Sequence, residues 1–133
     1  MSSFRRVTDE FWVAPQIALA DLAEAKDQGF QLIVNNRPDG ESPDQPASGE
    51  MAAAAARLGL DYLHAPVSGR PDAETVQAVQ AAVSGRKTLA FCRSGTRSII
   101  TWALGQSRSE SAETLIRLGE GAGYDLRPFL GPA

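Results

Sequence analysis

The chain has 133 residues, of which 43% are hydrophobic and 22% charged, a composition typical of a globular domain. Its net charge of −3 argues against non-specific nucleic-acid binding, which needs a basic surface. The single cysteine excludes an internal disulfide and suits a reducing cytoplasm. We therefore expect one domain over residues 1–133, located in the cytoplasm, with no signal peptide, membrane span, metal site or cofactor.

The first half of the chain predicts three short strands and two helices. The strands are 4–7, 11–14 and 30–34, and the helices are 19–26 and 49–58. The first two strands are close enough in sequence to form a small hairpin or an edge strand. Gly29 is a suitable end for the first helix, and Ser48 is a suitable N-cap for the second.

The second half continues the alternation of strand and helix. Strands are predicted at 60–65 and 88–91, and helices are predicted to begin at Pro71-Asp72, after Arg97 and at Glu110. Glycines at 119, 121 and 123 predict the end of the last helix, and we expect the tail 124–130 to pack irregularly.

This element order predicts an α/β fold with a mostly parallel central sheet of about four to five strands flanked by helices. In such sheets, ligands bind beyond the carboxyl ends of the strands. Three loops leave those ends, at 35–40, at 66–72 and after Phe91. We expect the functional site where these loops meet.

The loop after Phe91 carries the chemistry. It begins with Cys92 and runs through Arg93, Ser94, Gly95 and Thr96 to Arg97 and Ser98. Backbone N–H groups at the start of a helix can converge on an anion, and two arginines add positive charge. This setting favours the thiolate form of Cys92, so the loop predicts a nucleophilic sulfur in an anion-binding loop.

A lone cysteine in an apolar strand is more often a small packing residue than a nucleophile. Here two arginines lie beside it in the sequence. Beside a cysteine that serves only for packing, each arginine would need a partner for its charge. The combination therefore favours a catalytic Cys92, with Arg93 and Arg97 holding the substrate anion.

The segment Cys92-Arg93-Ser94-Gly95-Thr96-Arg97 resembles the Cys-Arg-x-Gly-x-Arg loop of single-domain rhodaneses. Cysteine-dependent phosphatases have a similar loop with five residues between Cys and Arg, whereas this chain has four. Ser98 matches the hydroxyl residue that follows the phosphatase arginine. It can donate a hydrogen bond to the Cys92 thiolate or serve as a helix-start hydroxyl.

Three motifs together resemble a bacterial family, the beta-lactamase-hydrolase-like phosphatase-like domain, whose members are often labelled sulfur transferases. They are 35–41 (Asn-Asn-Arg-Pro-Asp-Gly-Glu), 66–69 (Pro-Val-Ser-Gly) and 91–98 around Cys92. The resemblance implies the fold of the dual-specificity cysteine phosphatases. It also implies persulfide chemistry, because the domain is sometimes fused to a persulfide-oxidising enzyme, which is then an expected partner.

The missing general acid favours sulfur transfer over phosphatase activity. Phosphatases of this fold usually have an acid on the loop after the strand at 60–65, where this chain has Val67-Ser68-Gly69 and the nearest acid is Asp72. Loss of a general acid typically costs about 10²–10⁴-fold in rate. Sulfite leaves as a stable anion and needs no proton.

We therefore expect a rhodanese-like sulfurtransferase. Cys92 would take sulfur from thiosulfate or a persulfide donor and pass it to a thiol acceptor such as glutathione. The alternatives are a cysteine-dependent phosphatase acting on tyrosine-like or small phosphate esters, a persulfide carrier or redox sensor without turnover, and an oxyanion-binding module with an inert thiol.

Further residues are possible substrate contacts. Asn35 and Arg37 lie on a loop predicted to face the site, and Ser68 and Asp72 lie on another. Asp39 is a weak acid candidate. For each, turn formation, helix capping or surface solvation is the competing interpretation.

Overall fold

The computed structural model describes residues 3–130 as a five-stranded sheet between two layers of helices. The elements are β1 Arg5–Arg6, β2 Phe11–Ala14, α1 Asp21–Asp27, β3 Leu32–Asn35, α2 Ser48–Arg57, β4 Asp61–His64, α3 Ala73–Val83, β5 Thr88–Phe91, α4 Thr96–Gln106, α5 Ala112–Ala122 and α6 Arg127–Leu130. The strand order is β1-β2-β5-β3-β4. Because β1 is antiparallel to β2 and the other pairs are parallel, the predicted α/β class and the predicted hairpin are confirmed.

The central strands are buried on both faces, as their continuous apolar sequence predicts. In β3, Leu32 and Val34 belong to the core that contains side chains of α3, α4 and α5. Ile33, between them, belongs to a second core with α1 and α2. Since successive side chains of a strand point to opposite faces, one apolar run supplies both cores.

The parallel strands end in one row across the sheet. Ala14 pairs with Phe91, Phe91 with Asn35, and Asn35 with His64. The four loops that follow these residues therefore start side by side. Three of them are the loops predicted to meet, and the fourth, after β2, is an addition to the prediction.

The prediction that Ser48 caps α2 is wrong. Ala47 is the N-cap, and Ser48 is the first residue of the helix. The Ser48 hydroxyl bonds to the Tyr62 hydroxyl at 2.8 Å, and the Asp39 carboxylate accepts the Ser48 N–H at 2.8 Å. A carboxylate nine residues upstream therefore satisfies this end of the helix.

The predicted break at Gly119 is also wrong, because α5 continues to Ala122 and ends at Gly123, whose φ is +94°. Gly119 allows close packing instead, since a Cβ there would lie 2.8 Å from a methyl carbon of Leu126. The tail includes the short helix α6 rather than purely irregular chain. Within residues 3–130, every helix is too short or too polar to cross a membrane.

Candidate active site

Cys92 lies where the fold predicts a ligand site, directly after the central strand β5 and before α4. Its side chain is fully buried. The sulfur accepts a hydrogen bond from the Gly95 backbone N–H at 3.1 Å. Gly95 is the N-cap of α4 and has a φ of +92°, a conformation that favours glycine. A hydrogen bond and a helix N-terminus therefore both favour negative charge on the sulfur.

Other segments of the chain bind the carbonyl groups of the Cys92 loop and of the residue before it. Each of three carbonyls accepts a hydrogen bond from a different segment of the chain. The bonds are Asn36 N–H to Phe91 O at 2.8 Å, Gln16 N–H to Arg93 O at 3.2 Å and the Tyr124 hydroxyl to Ser94 O at 2.8 Å. Because the peptide group is planar and trans, a carbonyl turned outward leaves the following N–H turned inward.

Arg97 lies in the first turn of α4 and binds Glu41 with both terminal nitrogens. The Nη1–Oε2 distance is 2.8 Å and the Nη2–Oε1 distance is 2.9 Å. Nη1 also donates to the Val67 carbonyl at 2.7 Å. The hydrogen bonds to Glu41 raise the pKa of Arg97, and the nearby Cys92 adds a smaller contribution in the same direction. Arg97 is thus a permanent cation near the sulfur.

Glu41 links Arg97 to a second arginine. Arg37 is buried and donates from Nε to Glu41 at 2.9 Å and from Nη1 to Gln16 at 2.9 Å. The hydrogen bonds from Arg97 and Arg37 lower the pKa of Glu41 from 4.5 to about 2. The carboxylate therefore stays charged at neutral pH and joins the loop after β3 to the start of α4, and Arg37 extends the network to Gln16 in the loop after β2.

The other residues of the Cys92 loop are placed as follows. Arg93 is exposed, and within residues 3–130 its side chain forms no ion pair, so it is available to an incoming anion. The Ser94 and Thr96 hydroxyls bond to each other at 3.0 Å. Ser98 is buried, and its hydroxyl lacks a hydrogen-bond partner among the described residues. Of the two roles considered for Ser98, the hydrogen bond to Cys92 is not formed.

Two of the predicted substrate contacts have structural roles. Asn35 is buried, donates to the Tyr62 hydroxyl at 2.9 Å and accepts the Arg37 N–H at 2.8 Å. Arg37 is bound to Glu41 rather than exposed to solvent. Ser68 remains exposed on the loop after β4.

Both acid candidates accept a hydrogen bond at the start of a helix. Asp72 is the N-cap of α3 and accepts the Thr75 N–H at 2.8 Å. This hydrogen bond lowers the pKa of Asp72, so its carboxylate has no proton to donate near neutrality. Asp39 accepts the Ser48 N–H at the start of α2. Asp72 therefore follows the capping interpretation, whereas Asp39 lies in a turn, as the sequence favours, and also binds the start of α2.

Sequence reasoning missed three side chains that build the site: Gln16, Glu41 and Tyr124. Gln16 follows β2, so the rule about carboxyl ends of strands would have found it. Glu41 was part of a recognised motif, but its partner lies 56 residues away. Tyr124 lies 30 residues from Ser94, and the sequence carries no local signal for that contact. In residues 3–130 we find no group of three or more His, Cys, Asp or Glu placed to hold a metal ion.

Residues 3–109 match the family described as "Beta-lactamase hydrolase-like protein, phosphatase-like domain". The chain belongs to this family. It is 33% identical over 127 residues to the Beta-lactamase hydrolase-like protein of Agrobacterium fabrum, a match that covers 91% of this chain and 29% of that protein. This member of the family thus spans under a third of the length of the curated relatives it matches.

Solved structures show that the family fold is that of the cysteine-dependent phosphatases. A phosphatase-like protein from Neisseria meningitidis has a TM-score of 0.84 at 24% identity and covers 97% of this chain and 94% of its own. Kinase associated phosphatase, with its catalytic cysteine replaced by serine, has a TM-score of 0.67 at 19% identity over 98% of this chain and 84% of its own. The predicted family and fold are confirmed. Sulfur transfer gains no support from these relatives, and the phosphatase alternative fits them better.

Proposed function

We propose that this member of the family is a cysteine-dependent phosphatase with Cys92 as its nucleophile. The observation that carries the proposal is the sulfur at the carboxyl end of β5, which accepts the Gly95 N–H at the start of α4. Membership of a phosphatase-like family supports the same reaction class. The thiolate would attack phosphorus and break the bond to the ester oxygen, and water would then hydrolyse the phosphocysteine.

The charges around the sulfur suit a phosphate group. Loop N–H groups and the exposed Arg93 would bind the phosphoryl oxygens as negative charge develops on them. Arg97 can contribute through Nε while it keeps Glu41, or through Nη1 or Nη2 after releasing it. Substrate binding through Nη1 or Nη2 would therefore compete with the Glu41 contact, whereas binding through Nε would not.

The state of the two candidate acids predicts which phosphate esters this site would cleave. Since Asp39 and Asp72 are occupied as helix caps, the leaving oxygen has to depart without a proton from either of them. A phenolate is a far better leaving group than an alkoxide. We therefore propose aryl phosphates, such as tyrosine-like esters, as the substrate class.

Sulfur transfer is the second candidate, because two observations favour it specifically. Only four residues separate Cys92 from Arg97, and both nearby acids are occupied as caps. In this reaction the thiolate attacks the outer sulfur of thiosulfate, the S–S bond breaks, and sulfite leaves with the electron pair. Glutathione thiolate then attacks the outer sulfur of the Cys92 persulfide, which gives glutathione persulfide and regenerates the enzyme thiolate.

One pair of assays on wild type and Cys92→Ser separates the candidates. Release of p-nitrophenol from p-nitrophenyl phosphate by wild type alone would support the phosphatase. A gain of one sulfur by intact mass with thiosulfate, reversed by glutathione and absent from Cys92→Ser, would support sulfur transfer. Phosphate release that persists in Cys92→Ser would overturn the nucleophile assignment. Inactivity in both assays would overturn both candidates and leave the carrier and oxyanion-binding interpretations.

A further inference from the structure

The peptide between Ser94 and Gly95 is hydrogen-bonded on both sides. Its N–H donates to the Cys92 sulfur at 3.1 Å, and its carbonyl accepts the Tyr124 hydroxyl at 2.8 Å. The amide is planar, so the direction of its carbonyl fixes the direction of its N–H. The contact with Tyr124 therefore acts on the donor that faces the sulfur.

Tyr124 is itself held in place. It follows Gly123, which ends α5, and its backbone N–H donates to the Gly119 carbonyl at 2.8 Å. The Arg5 guanidinium lies 5.4 Å from the centre of its ring. A Cβ on Gly95 would lie 2.2 Å from the Tyr124 oxygen. The hydroxyl thus lies directly against the backbone of the Cys92 loop.

The chemistry of the tyrosine suits a permanent donor. Burial raises the pKa of Tyr124, so its hydroxyl keeps its proton at neutral pH. The carbonyls of Phe91, the last residue of β5, and of Arg93 are bound instead by backbone N–H groups. Among these three contacts, the one made by Tyr124 is the one that a side-chain substitution removes.

We propose that Tyr124 is a positioning residue for Cys92: it holds the Ser94–Gly95 peptide with its N–H directed at the sulfur and so stabilises the thiolate. This inference deepens the proposed function, because it rests on Cys92 acting as a thiolate. Tyr124 contacts neither the sulfur nor the substrate in this role. Its effect passes through one peptide group.

The test follows the thiolate directly by its ultraviolet absorbance as the pH is raised. This readout requires no access to the buried sulfur, and subtraction of the matching Cys92→Ser protein isolates its signal. In Tyr124→Phe the ring and its packing remain, but the donor is lost. We expect the midpoint of thiolate formation to rise by about one pH unit, a tenfold change, as when a hydrogen bond to a charged group is weakened.

The control is Ser107→Ala, which likewise removes a hydroxyl that donates to a backbone carbonyl. That hydroxyl bonds to the Leu104 carbonyl at the far end of α4, so the midpoint should not move. If Tyr124→Phe does not fold, Tyr124→p-aminophenylalanine, which retains a donor at the same position, should keep the wild-type midpoint. A shift in that variant would refute the proposal, and so would an unchanged midpoint in folded Tyr124→Phe.

The thiolate measurement is independent of turnover. A shifted midpoint with inactivity toward both phosphate ester and thiosulfate would overturn the proposed reaction and leave the role of Tyr124 standing. Activity in wild type with an unchanged midpoint in Tyr124→Phe would support the proposed reaction and refute the role of Tyr124.

Discussion

The Glu41 carboxylate, between Arg97 and Arg37, makes the folded protein sensitive to acid. Its pKa is lowered from 4.5 to about 2, chiefly by hydrogen bonds from Arg97. Because the pKa is lower in the folded protein, Glu41 of the unfolded chain becomes protonated at a higher pH than Glu41 of the folded chain. The stabilisation is therefore complete above about pH 4.5 and is lost as the pH falls toward about 2.

The magnitude follows from the size of the shift. For a fully shielded carboxylate, such a shift corresponds to about 3.4 kcal/mol. The Glu41 side chain keeps 29% of its surface in contact with solvent, so water screens both ion pairs. We therefore expect about 1 kcal/mol of stabilisation at neutral pH.

The assay is urea unfolding of wild type and Glu41→Gln at several pH values. Glutamine keeps the shape and one acceptor oxygen but removes the charge. At neutral pH the variant should be less stable by about 1 kcal/mol, and the gap should close as wild-type Glu41 is protonated. Glu113→Gln is the control, because Glu113 pairs with Arg117 on the exposed surface and should change stability little. A gap for Glu41→Gln that stays constant from neutral pH to about pH 3 would refute the reasoning.

Three further substitutions test the loop and its neighbours. Gly95→Ala should lower the free energy of unfolding by about 2 kcal/mol, because the φ of +92° is unfavourable for alanine and its Cβ would approach the Tyr124 hydroxyl; a change under about 0.5 kcal/mol in chemical denaturation would contradict this. Asp72→Ala should lower the melting temperature by a few degrees through loss of a helix cap, with kcat unchanged, whereas a loss of kcat would reveal a general acid. Arg97→Lys should reduce kcat/KM for the active substrate about a hundredfold, because lysine cannot make two parallel bonds to Glu41 or to an oxyanion; retained activity would show that Arg97 serves only the fold.

The sequence predicted the elements whose signal is local. The apolar run before Cys92 predicted β5, and the apolar spacing from Ile99 to Leu104 predicted the helix that follows it. The position of Cys92 at the carboxyl end of that strand then placed the site. These inferences need only chain periodicity and the geometry of parallel sheets.

The errors arose where a distant residue decides the local structure. Ser48 looked like a helix cap, but Asp39 provides that contact and the Ser48 hydroxyl faces Tyr62. Gly119 looked like a helix end, but its missing side chain instead leaves the space into which Leu126 packs. A short sequence window contains neither partner, so propensity alone gives the wrong answer in both cases.

The Cys92 loop depends on parts of the chain that are synthesised far apart. Gln16 and Asn36 are made well before Cys92, whereas Tyr124 follows Ser94 by 30 residues. The loop can reach its final shape only after almost the whole described chain has emerged and the segment after α5 has docked. A partly synthesised chain therefore carries Cys92 without its complete set of loop contacts, so we expect this loop to form late in folding.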